Sequence, residues 1–241
     1  MPAARIEAVE KRGPSADRAL PAVLLTLTMV TGVVDAASFL GLGHIFTANM
    51  TGNIVFLGFA VAGAPGLSFA RSGIALVAFA AGAVLGGRME ARMRAGRRHL
   101  WASSAFALEA ALLLAAALVA AGWGTDLTDR GTVLYAVIVL TGLGMGIRNA
   151  TVRKLGVADL NTTVLTLGIA GLAGDSFLAG GANPGWSRRA GSVAIMFAGA
   201  ALGAWLLRAS LAWALGIAGF ISGACALAVA LSRTAAGPDQ R

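Results

Sequence analysis

Two polar, glycine-flanked stretches interrupt an otherwise apolar chain. The first, Thr47-Ala-Asn-Met-Thr-Gly-Asn53, is entered from Asp35-Ala-Ala-Ser38. The second, Asn161-Thr-Thr-Val-Leu-Thr-Leu-Gly168, is entered from Arg148-Asn-Ala-Thr151. Hydroxyls and amides are costly in hydrocarbon unless they are hydrogen-bonded or face a wet cavity. Side-chain oxygens of Ser38, Thr47, Asn49, Thr51 and Asn53, with Asn149, Thr151, Asn161, Thr162, Thr163 and Thr166, are the groups that would coordinate an ion or hydrogen-bond a polar solute. Gly52 supplies the freedom for a backbone break. The opposing reading is that Thr and Asn only join helices, each contributing roughly 0.6–2 kcal/mol.

Charged residues in the apolar runs sharpen the question. Asp35 stands about two-thirds along the first run, where an intramembrane carboxylate is a functional hypothesis by default. It suits a proton carrier, a cation site or a counter-ion. It also suits a buried pair with Arg148 or a helix-end cap. Glu109 is a second internal acid, either a proton relay with Asp35 or a group buried against Arg97 or Arg98. Asp175 reads as an interfacial cap and His44 as a loop histidine.

These groups need elements to hold them. The chain has 241 residues, of which 57% are hydrophobic and 12% charged. Soluble domains carry about 25% charged residues, so this balance indicates a membrane protein. Nearly charge-free runs cover 20–43, 74–87 (extended back toward Leu67), 101–124, 131–147, 191–207 and 211–231, each about long enough to cross a ~30 Å core as a helix. The polar-broken segments 45–64 and 160–178 raise the number of apolar segments to eight.

Loop charges decide how these cross. With eight full crossings and a cytoplasmic N-terminus, the arginine-rich loop 88–99 falls outside, against the positive-inside bias. If the two broken segments enter and leave on one side, that loop and Arg148, Arg153, Lys154, Arg188, Arg189 and Arg233 all fall inside. Only Arg71, Arg130 and Arg208 then lie on the wrong face. The expected fold is therefore an all-α integral membrane protein. It has about six transmembrane helices plus two re-entrant or broken segments, in two inverted repeats. Asp35-Ala36 aligns with Asn149-Ala150, Thr47 and Thr51 with Thr162 and Thr166, and Gly73, Phe79 and Leu85-Gly86 with Gly191, Phe197 and Leu202-Gly203, all about 115 residues apart.

The expected organisation is a disordered cytoplasmic tail (1–19), repeat one (20–124), repeat two (131–231) and a cytoplasmic tail (232–241), in one membrane domain. Small residues along the helices suit close packing within the bundle, and also a homo-oligomer.

Other classes fare poorly. The net charge of +8 sits in loops and tails, where it sets topology, and no aromatic-basic surface points to nucleic acid. A single cysteine, Cys225, excludes a disulfide framework. Intramembrane hydrolysis lacks its residues, since His44 and His99 are the only histidines. No Walker-type phosphate loop or metal-ligand cluster calls for a cofactor. The expected partners are membrane lipid and a small polar or ionic solute.

The run Gly32-Val-Val-Asp-Ala-Ala-Ser-Phe-Leu-Gly-Leu-Gly43, followed by Phe46-Thr-Ala-Asn-Met-Thr-Gly-Asn53, resembles the signature of the YoaK-like family. So does Gly146-Ile-Arg-Asn-Ala150 leading to Asn161-Thr-Thr-Val-Leu-Thr166. The resemblance runs from about Leu20 to Leu231. It implies a bacterial inner-membrane protein whose domain has no assigned function. Members usually carry Gln before the Asn-Ala pair where this chain has Arg148, so its second site is not purely neutral.

Overall fold

The computed structural model describes residues 19–93, 98–156 and 165–235. Among them lie eight α-helices and no strand: α1 (Ala19–Gly41), α2 (Met50–Val61), α3 (Phe69–Arg92), α4 (Arg98–Ala120), α5 (Gly131–Leu155), α6 (Leu165–Gly174), α7 (Trp186–Leu207) and α8 (Leu211–Ala235). A backbone in lipid must satisfy its hydrogen bonds within the segment, which selects helices for these charge-free runs. Six of the eight are long and apolar enough to cross a membrane. The chain is an all-α integral membrane protein. The 12-residue α2 and the 10-residue α6 reach only about 18 Å and 15 Å at 1.5 Å per residue, short of a ~30 Å core.

Contacts at the helix ends fix which ends share a face. At one face, Leu127 N–H donates to the Gly41 carbonyl at 3.0 Å and Leu211 N–H to the Gly124 carbonyl at 3.1 Å. Arg71, in the first turn of α3, reaches the Gly43 carbonyl at 3.4 Å on the same face. The chain thus returns, after α2, to the face at which α1 ended. At the other face Arg98 donates to the Leu155 carbonyl and Lys154 pairs with Glu90. Gly156 closes α5 in the left-handed conformation, φ 62°, the usual glycine stop.

The helices pack in a pattern with internal order. α4 lies along α8, α3 along α5, and α1 along α7; α4 also meets α5, and α1 meets α8. α2 packs on α3 and α6 on α7. Exchanging α1 with α5, α2 with α6, α3 with α7 and α4 with α8 leaves this set of helix–helix pairs unchanged.

Glycines show the same exchange at atomic detail. A Cβ on Gly82 would stand 2.2 Å from the Leu143 carbonyl oxygen, and one on Gly199 2.1 Å from that of Met29. Gly86 meets Ile147 as Gly203 meets Val33, and Gly146 meets Phe79 as Gly32 meets Met196. Each pair maps on the other by shifts of 114 residues (α1 to α5) and 117 residues (α3 to α7), read from those same contacts. This register pairs Phe79 with Met196, one residue from the sequence expectation of Phe197. Backbones this close leave no room for side chains, which is how small residues bind helices in lipid. These faces are used within the chain.

Candidate functional site

The first polar stretch is held by its own side chains. The break lies at Gly43 and His44, with φ of 78° and 60°, and not at Gly52 as the sequence suggests. Gly52 sits in the first turn of α2, where a Cβ would stand 2.7 Å from the Phe46 ring; its bareness serves packing. The chain then bends through Thr47 and Ala48 to Asn49, the N-cap of α2. Asn53, fully buried, grips Phe46 by both edges: its Oδ1 accepts the Phe46 N–H at 2.9 Å and its Nδ2 donates to the Phe46 carbonyl. Phe46 stacks between Phe39 and Phe56, at 5.2 Å and 5.7 Å between ring centroids.

Asp35 acts on the same segment. Its Oδ1 accepts the Ala48 N–H at 3.1 Å, and the carboxylate faces the amides of Thr47 and Asn49 as well. It caps the entry to α2, where the free N–H groups and helix dipole favour a negative charge. It makes no ion pair with Arg148. Ser38 donates to the Asp35 carbonyl at 3.2 Å. Asn49 and Thr51 are exposed. Thr47 Oγ1 is buried with no hydrogen-bond partner among the described residues.

The second stretch is less gathered. Asn161, Thr162 and Thr163 lie outside the described residues. Thr166 is exposed on α6. Thr151, buried in α5, donates to the Ile147 carbonyl at 2.8 Å, and Asn149 adjoins it near the end of α5. Asp175 pairs with Arg189 at 2.6 Å, tying the end of α6 to the start of α7 as a cap would.

The charges meet elsewhere. Arg148 is fully buried on α5, and its Nη1 donates to Glu109 Oε1 at 3.0 Å. Glu109 therefore does not lie against Arg98, and Arg97 falls outside the described residues. It occupies the middle of α4, 11 residues from Arg98 and 11 from Ala120 (109 − 98 and 120 − 109). Arg148 also spans one turn of α1, donating to the Leu27 carbonyl at 3.1 Å and to Thr31 Oγ1 at 2.7 Å. Ser222, central in α8, donates to the same Glu109 oxygen at 3.0 Å. Four helices, α1, α4, α5 and α8, thus converge on one buried polar cluster.

Its hydrogen bonding is incomplete. Glu109 Oε2 and Arg148 Nε are buried with no partner among the described residues. Cys225, one turn beyond Ser222, is buried within electrostatic reach of both charges. The glycine register places Val34 of α1 opposite Arg148, so the charge belongs to one half alone. Thr31 and Ser222 were not singled out from the sequence. Ser222 is the one hydroxyl near the centre of its apolar run, whereas Thr31 shares its run with Thr26 and Thr28 and did not stand out.

An ion pair sealed at the middle of a six-span helical bundle defines a polytopic membrane protein with a charged core. Residues 23–228 match the family described as "Protein of unknown function (DUF1275)", and the chain belongs to that family. It is 35% identical over 156 residues, 64% of its length, to "UPF0700 transmembrane protein YoaK" of Bacillus subtilis (strain 168). The match spans 65% of that relative. No solved structure matches the chain.

Proposed function

We propose that this protein is a secondary transporter or channel of the bacterial inner membrane. It passes a small polar or ionic solute through a midplane site centred on Glu109 and Arg148. The observation that carries this reading is the buried pair itself, with one carboxylate oxygen left bare. Fully buried ion pairs do not repay their desolvation as stability, and apolar residues of similar size often hold a fold better. Charges at membrane depth mark solute and proton paths.

The exchange symmetry of the helix packing supports two inverted repeats, α1–α4 and α5–α8, a recurring plan of transporters with central sites. In this reading α2 and α6 are re-entrant, both termini are cytoplasmic, and gradients supply the energy. Asp35, Asn53 and Gly52 fix α2 rather than line the path. That engagement is also what favours the second reading, a non-transporting membrane scaffold or binding protein.

The protein's single cysteine separates the two. Inverted and right-side-out vesicles bearing the wild-type protein are treated with a small water-soluble maleimide. In the transport reading Cys225, beside the ion pair, reacts in the folded protein from at least one side. Labelling only after unfolding would mean a dry centre, and the scaffold reading would replace transport.

A further inference from the structure

We infer that the segment joining α1 to α2, residues 42–48, is the outer gate of the Glu109–Arg148 site, with Asp35 as its latch. The inference rests on the transport reading and deepens it by naming the element that closes the path.

The four helices that meet at the ion pair leave one side of their ring thinly packed. α8 lies against α1 and α4, and α4 against α5, but α5 and α1 have little direct contact. Arg148 bridges that side at the centre, reaching from α5 to Leu27 and Thr31 of α1. Toward the face that holds Gly41 and Gly124, the outer one when the N-terminus is cytoplasmic, residues 42–48 stand in for helix packing. Leu42, Ile45 and Ala48 belong to one buried apolar core with Val30 and Val34 of α1 and Leu134, Val137 and Ile138 of α5.

The segment reaches from that face almost to the cluster. At its start, Arg71 donates to the Gly43 carbonyl, and a Cβ on Gly43 would meet Thr128 just before α5. At its end, the Ala48 N–H donates to Asp35. Asp35 lies six residues back from Gly41 (41 − 35), about 9 Å deeper at 1.5 Å per residue. Thr31, which holds Arg148, is one turn further in. Thr47 Oγ1 belongs to this inner end, buried with no partner among the described residues.

Its attachments let it move as a unit. The Asn53 clamp ties Phe46 to α2, and α2 packs mainly on α3. Phe39 of α1 adds a ring contact to Phe46, and Asp35 supplies the hydrogen bond that holds the inner end to α1. Gly43 and His44, with φ of 78° and 60°, mark the hinge, and that angle is costly at His44, which carries a Cβ. Irregular backbone at membrane depth is tolerated both when it is buried in protein and when it lines a wet cavity. The segment therefore has two admissible states. Asp35 also lies within electrostatic reach of Arg148, so the latch senses the charge at the site.

The test is labelling by a small membrane-impermeant maleimide in right-side-out and inverted vesicles bearing the full chain. Asp35→Leu opens the latch. It should speed labelling of Cys225 from the outer face about tenfold, the shift that loss of one buried hydrogen bond gives, and leave the inner-face rate unchanged. A thiol placed in the segment, Thr47→Cys with Cys225→Ala, should gain the same factor from the outer face. An outer-face rate at Cys225 that ignores Asp35→Leu overturns the gate, as does equal acceleration from both faces.

If Asp35→Leu does not fold, Thr47→Cys with Cys225 retained decides by the order of labelling. From the outer face the thiol at position 47 should always be modified before Cys225. Cys225 modified while that thiol is free overturns the gate, and so does an absence of outer-face labelling at both positions. Cys225 reactive from the inner face but blind to Asp35→Leu from the outer one removes the gate and leaves transport standing. Cys225 unreactive from both faces in every variant removes transport and the gate with it.

Discussion

Asn53 and Phe46 are joined by both edges of one amide, seven residues apart along the chain. The pairing lets a non-helical segment lie beside α2 with both Phe46 backbone groups satisfied, as buried irregular backbone at membrane depth requires. Asn53→Leu leaves the Phe46 N–H and carbonyl bare. It should cost about 2–4 kcal/mol of stability, the penalty for two unmet backbone groups. Thr51→Val, at an exposed neighbouring position, should stay within about 0.5 kcal/mol. Denaturation of both variants in mixed micelles would read the difference.

Glycine substitutions should divide by partner and not by position in sequence. Gly82→Ala, Gly146→Ala and Gly199→Ala drive a methyl into the carbonyl oxygens of Leu143, Phe79 and Met29. A helix would have to shift, with losses of about 1–3 kcal/mol or more, as overpacking produces. Gly58→Ala and Gly87→Ala meet nothing within 4 Å and should gain up to about 1 kcal/mol from helix propensity. Gly82→Ala and Gly199→Ala, equivalent under the exchange of halves, should lose similar amounts. Unequal losses would argue against equivalent crossings.

The parts of this fold that follow from lipid as a solvent were legible in the sequence. Charge-free runs gave the six long helices, and the polar breaks located α2 and α6. Small residues announced close crossings, although the one-residue shift from Phe197 to Met196 needed the carbonyl contacts. The site was less legible. Arg148, Asp35 and Glu109 were all marked, but which acid meets Arg148 depends on helix rotation, and period alone does not fix that. Asp35 finds backbone amides a short loop away, a local solution to its charge. Glu109 lies 39 residues from Arg148, and only the packing of α4 on α5 joins them. Thr31 and Ser222 looked like ordinary helix hydroxyls until Arg148 and Glu109 reached them.

Removing one partner of the central pair should hurt far more than removing both. Arg148→Met strands the Glu109 carboxylate and Glu109→Leu strands the guanidinium; each should cost about 3–5 kcal/mol. The double variant leaves only Ser222 and Thr31, two hydroxyls able to bond their own helices, and should fold near wild-type stability or above it. A double-mutant cycle of unfolding free energies measures the coupling. Near-additive losses would show that the two charges do not act as a pair. The transport reading adds a further expectation: the stable double variant passes no solute.

Asp35 should act on α2 and leave the bundle intact. Its carboxylate answers the amides that open α2, and α2 packs mainly on α3, with one ring contact from Phe56 to Phe39 of α1. Asp35→Leu removes the acceptor and leaves Ala48 N–H buried without a partner, a cost of about 1–3 kcal/mol. The loosened segment keeps the Asn53 clamp and the Phe46 ring stack, which lie on the Phe46 side of Ala48. Amide hydrogen exchange should therefore accelerate at Thr47–Asn49 and through the first turn of α2, while α4 and α8 exchange as in the wild type. Asp35→Asn keeps an acceptor oxygen without the charge, so it should recover most of the protection and separate the hydrogen bond from the electrostatic part of the cap. Uniform acceleration across all helices would place Asp35 in the global core, and unchanged exchange at Ala48 would remove its role as a cap.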